Sequence, residues 1–242
     1  MKEKGRLILW TAAVWLLSFG CYLPTALERR GVGTGFVWLK YLYVCVPALC
    51  ACFAAAAQGG LVKYVRGLFS GRAGVRQAAI WAAVAGGGAA VSLVRSMTAG
   101  LNLFAEAYST VTAFAAGCAY LFITGLAEEA AWRGFLLERT CAGGRRFPGL
   151  LISGAAWAVW HIPMWVIRNS LGTGEVLLLL CWTVLVSIVL GEAYLRCRNI
   201  VFTALLHMSF NVFWLAPVWC NVILLATAVF IVRLRGLRFH KM

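Results

Sequence analysis

Apolar runs of about 20 residues recur along the whole of this 242-residue chain, and they restrict it to one kind of fold. At a rise of about 1.5 Å per residue, a helix of that length crosses the hydrocarbon core of a bilayer. Hydrophobic residues make up 62% of the sequence and charged residues only 12%, which excludes an ordinary soluble domain. The sequence therefore predicts an all-α, polytopic membrane protein.

We predict about eight transmembrane helices, joined by short loops into a single membrane domain over residues 1–242. The spans are roughly 7–27, 36–57, 77–94, 108–127 running on to about 139, 148–167, 175–195, 199–215 and 217–232. The first is interpreted as a retained helix, because its apolar stretch is too long for a cleaved signal peptide. Segment 58–76 places apolar residues on one helical face, so it predicts a short helix on the inner surface against anionic lipid headgroups. An ordinary basic loop is the alternative for this segment.

The net charge of +14 has a membrane explanation. With the N-terminus inside, 17 basic residues lie in inner segments and four lie in outer segments. The inner ones are Lys2, Lys4, Arg6, Lys63, Arg66, Arg72, Arg76, Arg133, Arg139, Arg145, Arg146, Arg196, Arg198, Arg233, Arg235, Arg238 and Lys241; the outer ones are Arg29, Arg30, Arg95 and Arg168. This asymmetry predicts eight spans with both termini cytoplasmic. No nucleic-acid-binding motif accompanies the charge, so we expect membrane lipids as partners and no nucleic acid.

Ionisable side chains interrupt three of the apolar runs, where each costs roughly 2.5–3.5 kcal/mol near the bilayer centre. Glu128 and Glu129 stand in one run with Arg133 one turn further on, and His161 and His207 stand in two others. Measured from the inner boundary, Glu128, His161 and His207 lie roughly 16, 20 and 14 Å deep at helical rise. Similar depth on three helices predicts one polar site that opens to the cytoplasm. The alternative is structural, with a buried ion pair and packing histidines.

Helical spacing sorts the polar residues into i,i+4 pairs that share a face. The pairs are Glu129 and Arg133, Trp157 and His161, His207 and Asn211, and Glu192 and Arg196. The first is expected to form an ion pair inside the membrane, and the last to form one at the membrane edge.

A carboxylate, two imidazoles and an amide can hydrolyse a peptide bond without a covalent intermediate. The carboxylate takes a proton from water with the help of an imidazole, and an imidazole and an amide N–H stabilise the oxyanion. No Ser-His-Asp arrangement is visible, and the nine scattered cysteines form neither a nucleophile motif nor a zinc ribbon. Alternatively, Glu128, His161 and His207 could hold one Zn²⁺ in an open three-ligand site, although the HExxH motif is absent.

Three sequence motifs carry a family resemblance. Glu-Glu-Ala-Ala-Trp-Arg (128–133), Trp-Ala-Val-Trp-His (157–161) and His-Met-Ser-Phe-Asn (207–211) resemble, in this order, the EExxxR, FxxxH and HxxxN/D motifs of the CPBP family. That family comprises CAAX prenyl proteases and bacteriocin-processing, Abi-type membrane proteins. The resemblance covers about 120–215, which we expect to be the catalytic core. It implies eight helices and endopeptidase activity within a membrane, here expected to be the plasma membrane of a prokaryote.

The resemblance also implies roles for the catalytic residues. Glu128 would be the general base, and His161 would be its partner in activating water. His207 and Asn211 would form the oxyanion hole. A metal-free mechanism is preferred, so no cofactor is expected, while Zn²⁺ remains the alternative.

Three further residues are implied to support the site. Glu129 and Arg133 would do so as an ion pair. Trp157 stands where the family usually has phenylalanine, and its expected role is that of an aromatic packing wall.

The substrate implied is a membrane-anchored peptide or protein, carrying either a prenylated C-terminus or a leader sequence. Two non-enzymatic functions remain open. The same polar cavity could serve a binding scaffold of the bacteriocin-immunity type or a small-molecule transporter. A transporter usually shows internal repeats or broken paired helices, and neither is visible here.

Overall fold

The computed structural model describes residues 3–99 and 110–212, and these residues form helices and connecting turns without a β-strand. Within these two ranges, eight α-helices have eight or more residues: α1 (Glu3–Glu28), α2 (Val46–Ala57), α3 (Leu61–Leu68), α4 (Val75–Ala99), α5 (Val111–Glu129), α6 (Arg146–Trp160), α7 (Thr173–Cys197) and α8 (Ile200–Val212). Two short 3-10 helices, Val37–Tyr41 and Tyr43–Cys45, precede α2. The predicted all-α class is confirmed.

Four helical stretches of the described residues are long and apolar enough to cross a membrane. They are Glu3–Glu28, Val111–Thr140, Arg146–Arg168 and Thr173–Cys197, and they match the first, fourth, fifth and sixth predicted spans. The chain is thus an integral membrane protein. Predicted spans 36–57 and 199–215 contain shorter apolar helices, span 77–94 falls within α4, and span 217–232 lies outside the described residues. The number of spans and the side of each terminus stay predictions.

Helix α5 continues beyond Glu129 in a different geometry. A π-helical segment, Ala130–Leu137, follows it and leads into a last turn at Glu138–Thr140. A second π-helical turn, Met164–Arg168, follows α6. In π-helical geometry each hydrogen bond closes over five residues instead of four, and such turns occur frequently at functional sites. The first segment overlaps the 128–133 motif and contains Arg133, and the second follows the 157–161 motif.

The chain packs into two compact units. The first comprises Met1–Leu68 with Ala127–Gly191, and the second comprises Phe69–Leu126 with Glu192–Met242. The chain passes from the second unit into the first near the end of α5. The expected single domain stays a prediction.

The core of the first unit is aromatic. Trp10 meets Trp132 edge to face at 5.7 Å between ring centroids, and Tyr43 stacks on Trp160 at 4.0 Å. The Trp160 indole N–H donates a hydrogen bond of 2.8 Å to Ser18 Oγ on α1. Because aromatic rings bury large apolar areas, these contacts fix α1 against the helices that carry the site.

Helix α3 confirms that a helix lies within segment 58–76, and the alternative of a basic loop is wrong. Its Tyr64 hydroxyl donates to the Ala130 carbonyl at 2.8 Å, at the start of the π-helical segment. Burial raises the pKa of the Tyr64 phenol well above its usual value, so the hydroxyl stays protonated and remains a donor. Leu68 packs against Gly134 in the same segment. Helix α3 therefore braces the helix that carries the glutamates, while its contact with lipid headgroups stays a prediction.

Gly149 allows α6 to pack closely against Thr140 and Cys141, which follow the π-helical segment after α5. A Cβ at this position would lie 2.8 Å from the Cys141 nitrogen and 2.9 Å from the Thr140 carbonyl carbon. Both are backbone atoms, so no change of rotamer can relieve the clash. We expect Gly149→Ala to lower the free energy of unfolding by about 1–3 kcal/mol. Thermal unfolding of the purified protein in detergent measures this loss.

Gly20→Ala in α1 is the matched control, because a Cβ there meets nothing within 4 Å. Alanine favours a helix over glycine by at most about 1 kcal/mol, so this control should unfold at an unchanged or slightly higher temperature. Equal stability of the two variants would contradict the close approach at Gly149.

The second unit places α4 beside α8. The Trp81 indole N–H donates to Ser209 Oγ at 3.1 Å. Asn199 caps the start of α8, since its Oδ1 accepts the Phe202 N–H at 3.0 Å. The expected ion pair between Glu192 and Arg196 is present, with 3.3 Å between Oε2 and Nε.

Candidate active site

The two glutamates lie where α5 changes from α-helical to π-helical geometry. Glu128 is 7% exposed, whereas Glu129 and Arg133 are fully buried. The expected ion pair is present, with 2.8 Å between Arg133 Nη1 and Glu129 Oε1. Arg133 Nη2 also donates to Ser187 Oγ of α7 at 3.2 Å. A guanidinium buried in this way requires such partners, because an uncompensated charge in a low-dielectric interior is costly.

Trp157 joins α6 to the glutamate helix through two contacts. Its indole N–H donates to Glu128 Oε2 at 2.9 Å. Its ring lies under the Arg133 guanidinium, with 4.4 Å from Cζ to the ring centroid. A packing wall is therefore only part of the role of Trp157, because the side chain also supplies a hydrogen-bond donor to a carboxylate.

His161 is the C-terminal cap of α6, and its side chain hydrogen-bonds to a main-chain carbonyl in the last turn of that helix. Nδ1 lies 2.8 Å from the Trp157 carbonyl oxygen, one of the last carbonyls of the helix. A carbonyl oxygen only accepts, so Nδ1 carries the proton, and in the neutral ring Nε2 carries the lone pair. The ring stacks on Trp165 at 5.3 Å and meets Trp157 and Trp160 edge to face. Three indoles thus fix the orientation of the imidazole.

The first unit therefore links five of the seven predicted site residues. Glu128, Arg133 and His161 each contact Trp157, and Glu129 joins them through its ion pair with Arg133. Sequence reasoning missed Ser187, which the Arg133 guanidinium contacts. A polar residue one turn after Thr183 inside the apolar helix α7 was the signal that could have found it.

The other two predicted site residues lie on α8 in the second unit. His207 is 2% exposed and packs beside Gly125 of α5, where an added Cβ would lie 3.8 Å from its ring. Asn211 is half-buried one turn further along. Their meeting with the residues of the first unit stays a prediction.

A metal ion would have to fit these donor atoms. Within either unit taken by itself, the described histidine, cysteine, aspartate and glutamate side chains form no group of three that could hold one. The His161 arrangement, with Nδ1 on a main-chain carbonyl, would suit ligation through Nε2 as well as proton transfer. Zinc held by Glu128, His161 and His207 stays a prediction.

Residues 110–213 match the family model of the Rce1-like type II CAAX prenyl endopeptidases. The match covers 104 of the 242 residues, and it shows what this region is similar to. The matched region contains all seven candidate residues and agrees with the resemblance found in the three motifs. None of the curated proteins compared with the chain matches it significantly. This similarity supports a CAAX-type membrane protease in general class, with a peptide as the general kind of substrate.

Proposed function

We propose that the protein is an intramembrane endopeptidase in which Glu128 and His161 activate a water molecule for attack on a peptide carbonyl. The observation that supports this most is the Glu128 carboxylate, held by the Trp157 N–H at 2.9 Å inside the family-matched region. A carboxylate buried within an apolar span is costly, so by default it marks a functional site. Here the Trp157 N–H also fixes the orientation of the carboxylate.

Water hydrolyses the bond in two steps. Glu128 accepts one proton from water, assisted by the lone pair on His161 Nε2, and the hydroxide adds to the carbonyl carbon. The tetrahedral intermediate then expels the amine, which takes up that proton as the C–N bond breaks. A positioned base of this kind contributes about 10²–10⁴-fold to the rate.

Stabilisation of the oxyanion is assigned to His207 and Asn211. This assignment rests on the HxxxN/D motif and on the one-turn spacing of the two residues on α8. Two donors on one helical face can bind the same developing negative charge, which is the requirement of an oxyanion hole.

The proposed substrate is a membrane-anchored peptide with a prenylated C-terminus, as the description of the matched family favours. A leader-type peptide of a membrane-associated precursor is the other substrate of the same kind. Large apolar side chains are exposed on the spans, for example Leu16 and Leu177, so a lipid-anchored substrate would reach the protein from within the bilayer.

Cleavage by the reconstituted protein tests the proposal. Purified wild-type protein in nanodiscs would be given a fluorogenic CAAX peptide, farnesylated or bare, with and without a zinc chelator. We expect cleavage of the farnesylated peptide that persists in chelator. Loss of cleavage in chelator with recovery on adding Zn²⁺ would instead support the zinc mechanism.

A complete absence of cleavage would contradict the enzymatic proposal. A leader-type peptide and a prenylated peptide should therefore both be offered before that result is accepted. Binding of either peptide without cleavage would favour the scaffold function, and transport of a small solute would favour the transporter.

A further inference from the structure

Trp157 contacts three chemically important side chains of the first unit through three separate groups. Its indole N–H donates to Glu128 Oε2 at 2.9 Å. Its ring face lies 4.4 Å from Arg133 Cζ. Its carbonyl oxygen accepts from His161 Nδ1 at 2.8 Å. One residue thus links the carboxylate, the guanidinium and the imidazole.

We propose that Trp157 is a positioning residue, whose indole N–H fixes the Glu128 carboxylate in the orientation needed to take a proton from water. The role rests on the proposed function, because it acts through Glu128 and not on the substrate. The Trp157 carbonyl oxygen also accepts the hydrogen bond that orients His161. The same residue therefore positions both the base and its partner. Displacement of either group by 1 Å would be enough to slow the reaction strongly.

A smaller aromatic ring would keep only part of these contacts. Phenylalanine at position 157 would offer a ring face to Arg133 but would have no N–H for Glu128. Any residue there supplies the main-chain carbonyl that His161 uses. The variant Trp157→Phe therefore keeps the aromatic face and the carbonyl and removes only the donor, together with the outer part of the ring.

Trp132 provides a matched control. It is fully buried in the aromatic core of the same unit, and its Nε1 has no hydrogen-bond partner among the described residues. Trp132→Phe removes the same atoms as Trp157→Phe, but it breaks no hydrogen bond. The difference between the two variants isolates the donor to Glu128.

The first test compares steady-state kinetics of both variants in nanodiscs. We expect Trp157→Phe to lower kcat by about 10- to 100-fold with KM within about 2-fold of wild type, because positioning of the base affects the chemical step. Trp132→Phe should keep kcat within about 3-fold, with a similar change in Tm. Wild-type kcat in Trp157→Phe, or an equal loss of kcat in both variants, would overturn the proposal.

The second test needs neither catalysis nor a folded Trp157 variant. In ¹⁵N-labelled protein the NMR chemical shift of a tryptophan indole N–H depends on the strength of its hydrogen bond. The chain has 11 tryptophans, so the spectrum contains at most 11 such signals. Glu128→Gln should move the Trp157 indole signal upfield and leave the Trp132 signal in place, since a neutral amide is a weaker acceptor than a carboxylate. An unmoved Trp157 signal would overturn the proposed contact.

The two ideas fail in distinguishable ways. Full activity in Glu128→Gln would refute the proposed function, whatever the Trp157 variant does. An inactive Glu128→Gln together with a fully active Trp157→Phe would refute only the positioning role.

Discussion

Replacing Glu128 with glutamine should remove nearly all peptide cleavage while the protein remains folded. Glutamine has nearly the same size as glutamate, and its carbonyl oxygen can still accept the Trp157 N–H that the carboxylate now accepts at 2.9 Å. It cannot take a proton from water near neutral pH, so the rate should fall by about 10²–10⁴-fold. Initial rates on the farnesylated peptide measure the loss, and thermal unfolding in the same detergent checks the fold.

The same substitution at Glu192 is the control for this prediction. Glu192 pairs with Arg196 near the C-terminal end of α7, and the Glu192 side chain is 20% exposed. Glu192→Gln should leave the rate within about 2-fold of wild type, because partly exposed ion pairs contribute little. Cleavage by purified Glu128→Gln at a rate near that of Glu192→Gln would contradict the mechanism.

Breaking the buried ion pair should cause the largest loss of stability. Arg133→Met leaves Glu129 charged in a fully buried position and also removes the donor to Ser187. Removal of one partner from a buried pair typically costs about 3–5 kcal/mol. Equilibrium unfolding in a denaturing detergent series measures the change in the free energy of unfolding.

Two comparisons distinguish the buried charge from simple loss of packing. Arg196→Met disrupts an ion pair of the same spacing at a partly exposed site, and it should cost at most about 1 kcal/mol. The double variant with Glu129→Met and Arg133→Met removes both charges, and it should recover most of the stability lost in Arg133→Met. A double variant no more stable than Arg133→Met would show that the effect comes from packing or from Ser187.

Hydrophobic length and periodicity predict most of the helix boundaries. Span 175–195 corresponds to α7 at Thr173–Cys197. The fourth span, predicted to run on to about 139, corresponds to the helical stretch Val111–Thr140. Apolar run length carries this information because a bilayer has a fixed thickness. The pairing of Glu129 with Arg133 was also predictable, since i,i+4 neighbours on one helix need no knowledge of tertiary structure.

The π-helical segments were not predictable in this way. Residues 130–137 contain only one glycine and no proline, so nothing in their composition marks a change of helical geometry. Such turns are stabilised by neighbouring groups, and here the Tyr64 hydroxyl on the Ala130 carbonyl is one of them. That contact depends on where α3 packs, which sequence periodicity does not specify.

The hydrogen bond from Trp157 to Glu128 was not predictable for a similar reason. Its residue type predicts an aromatic contact, and the ring does lie against Arg133. The direction of the indole N–H depends on the side-chain rotamer and on the approach of α6 to α5. The expected place of His207 and Asn211 in the same site rests on motif spacing, and it stays a prediction that kinetic study of α8 variants can address.

Glu129 and Arg133 belong to a single helix, and this affects how the chain can enter the lipid phase during synthesis. Each charge alone would add roughly 2.5–3.5 kcal/mol to the cost of insertion near the bilayer centre. Partners one turn apart can form their ion pair as soon as their own segment is helical, before any later helix of the chain is made. The segment Val111–Thr140 can therefore leave the insertion machinery with these two charges already neutralised.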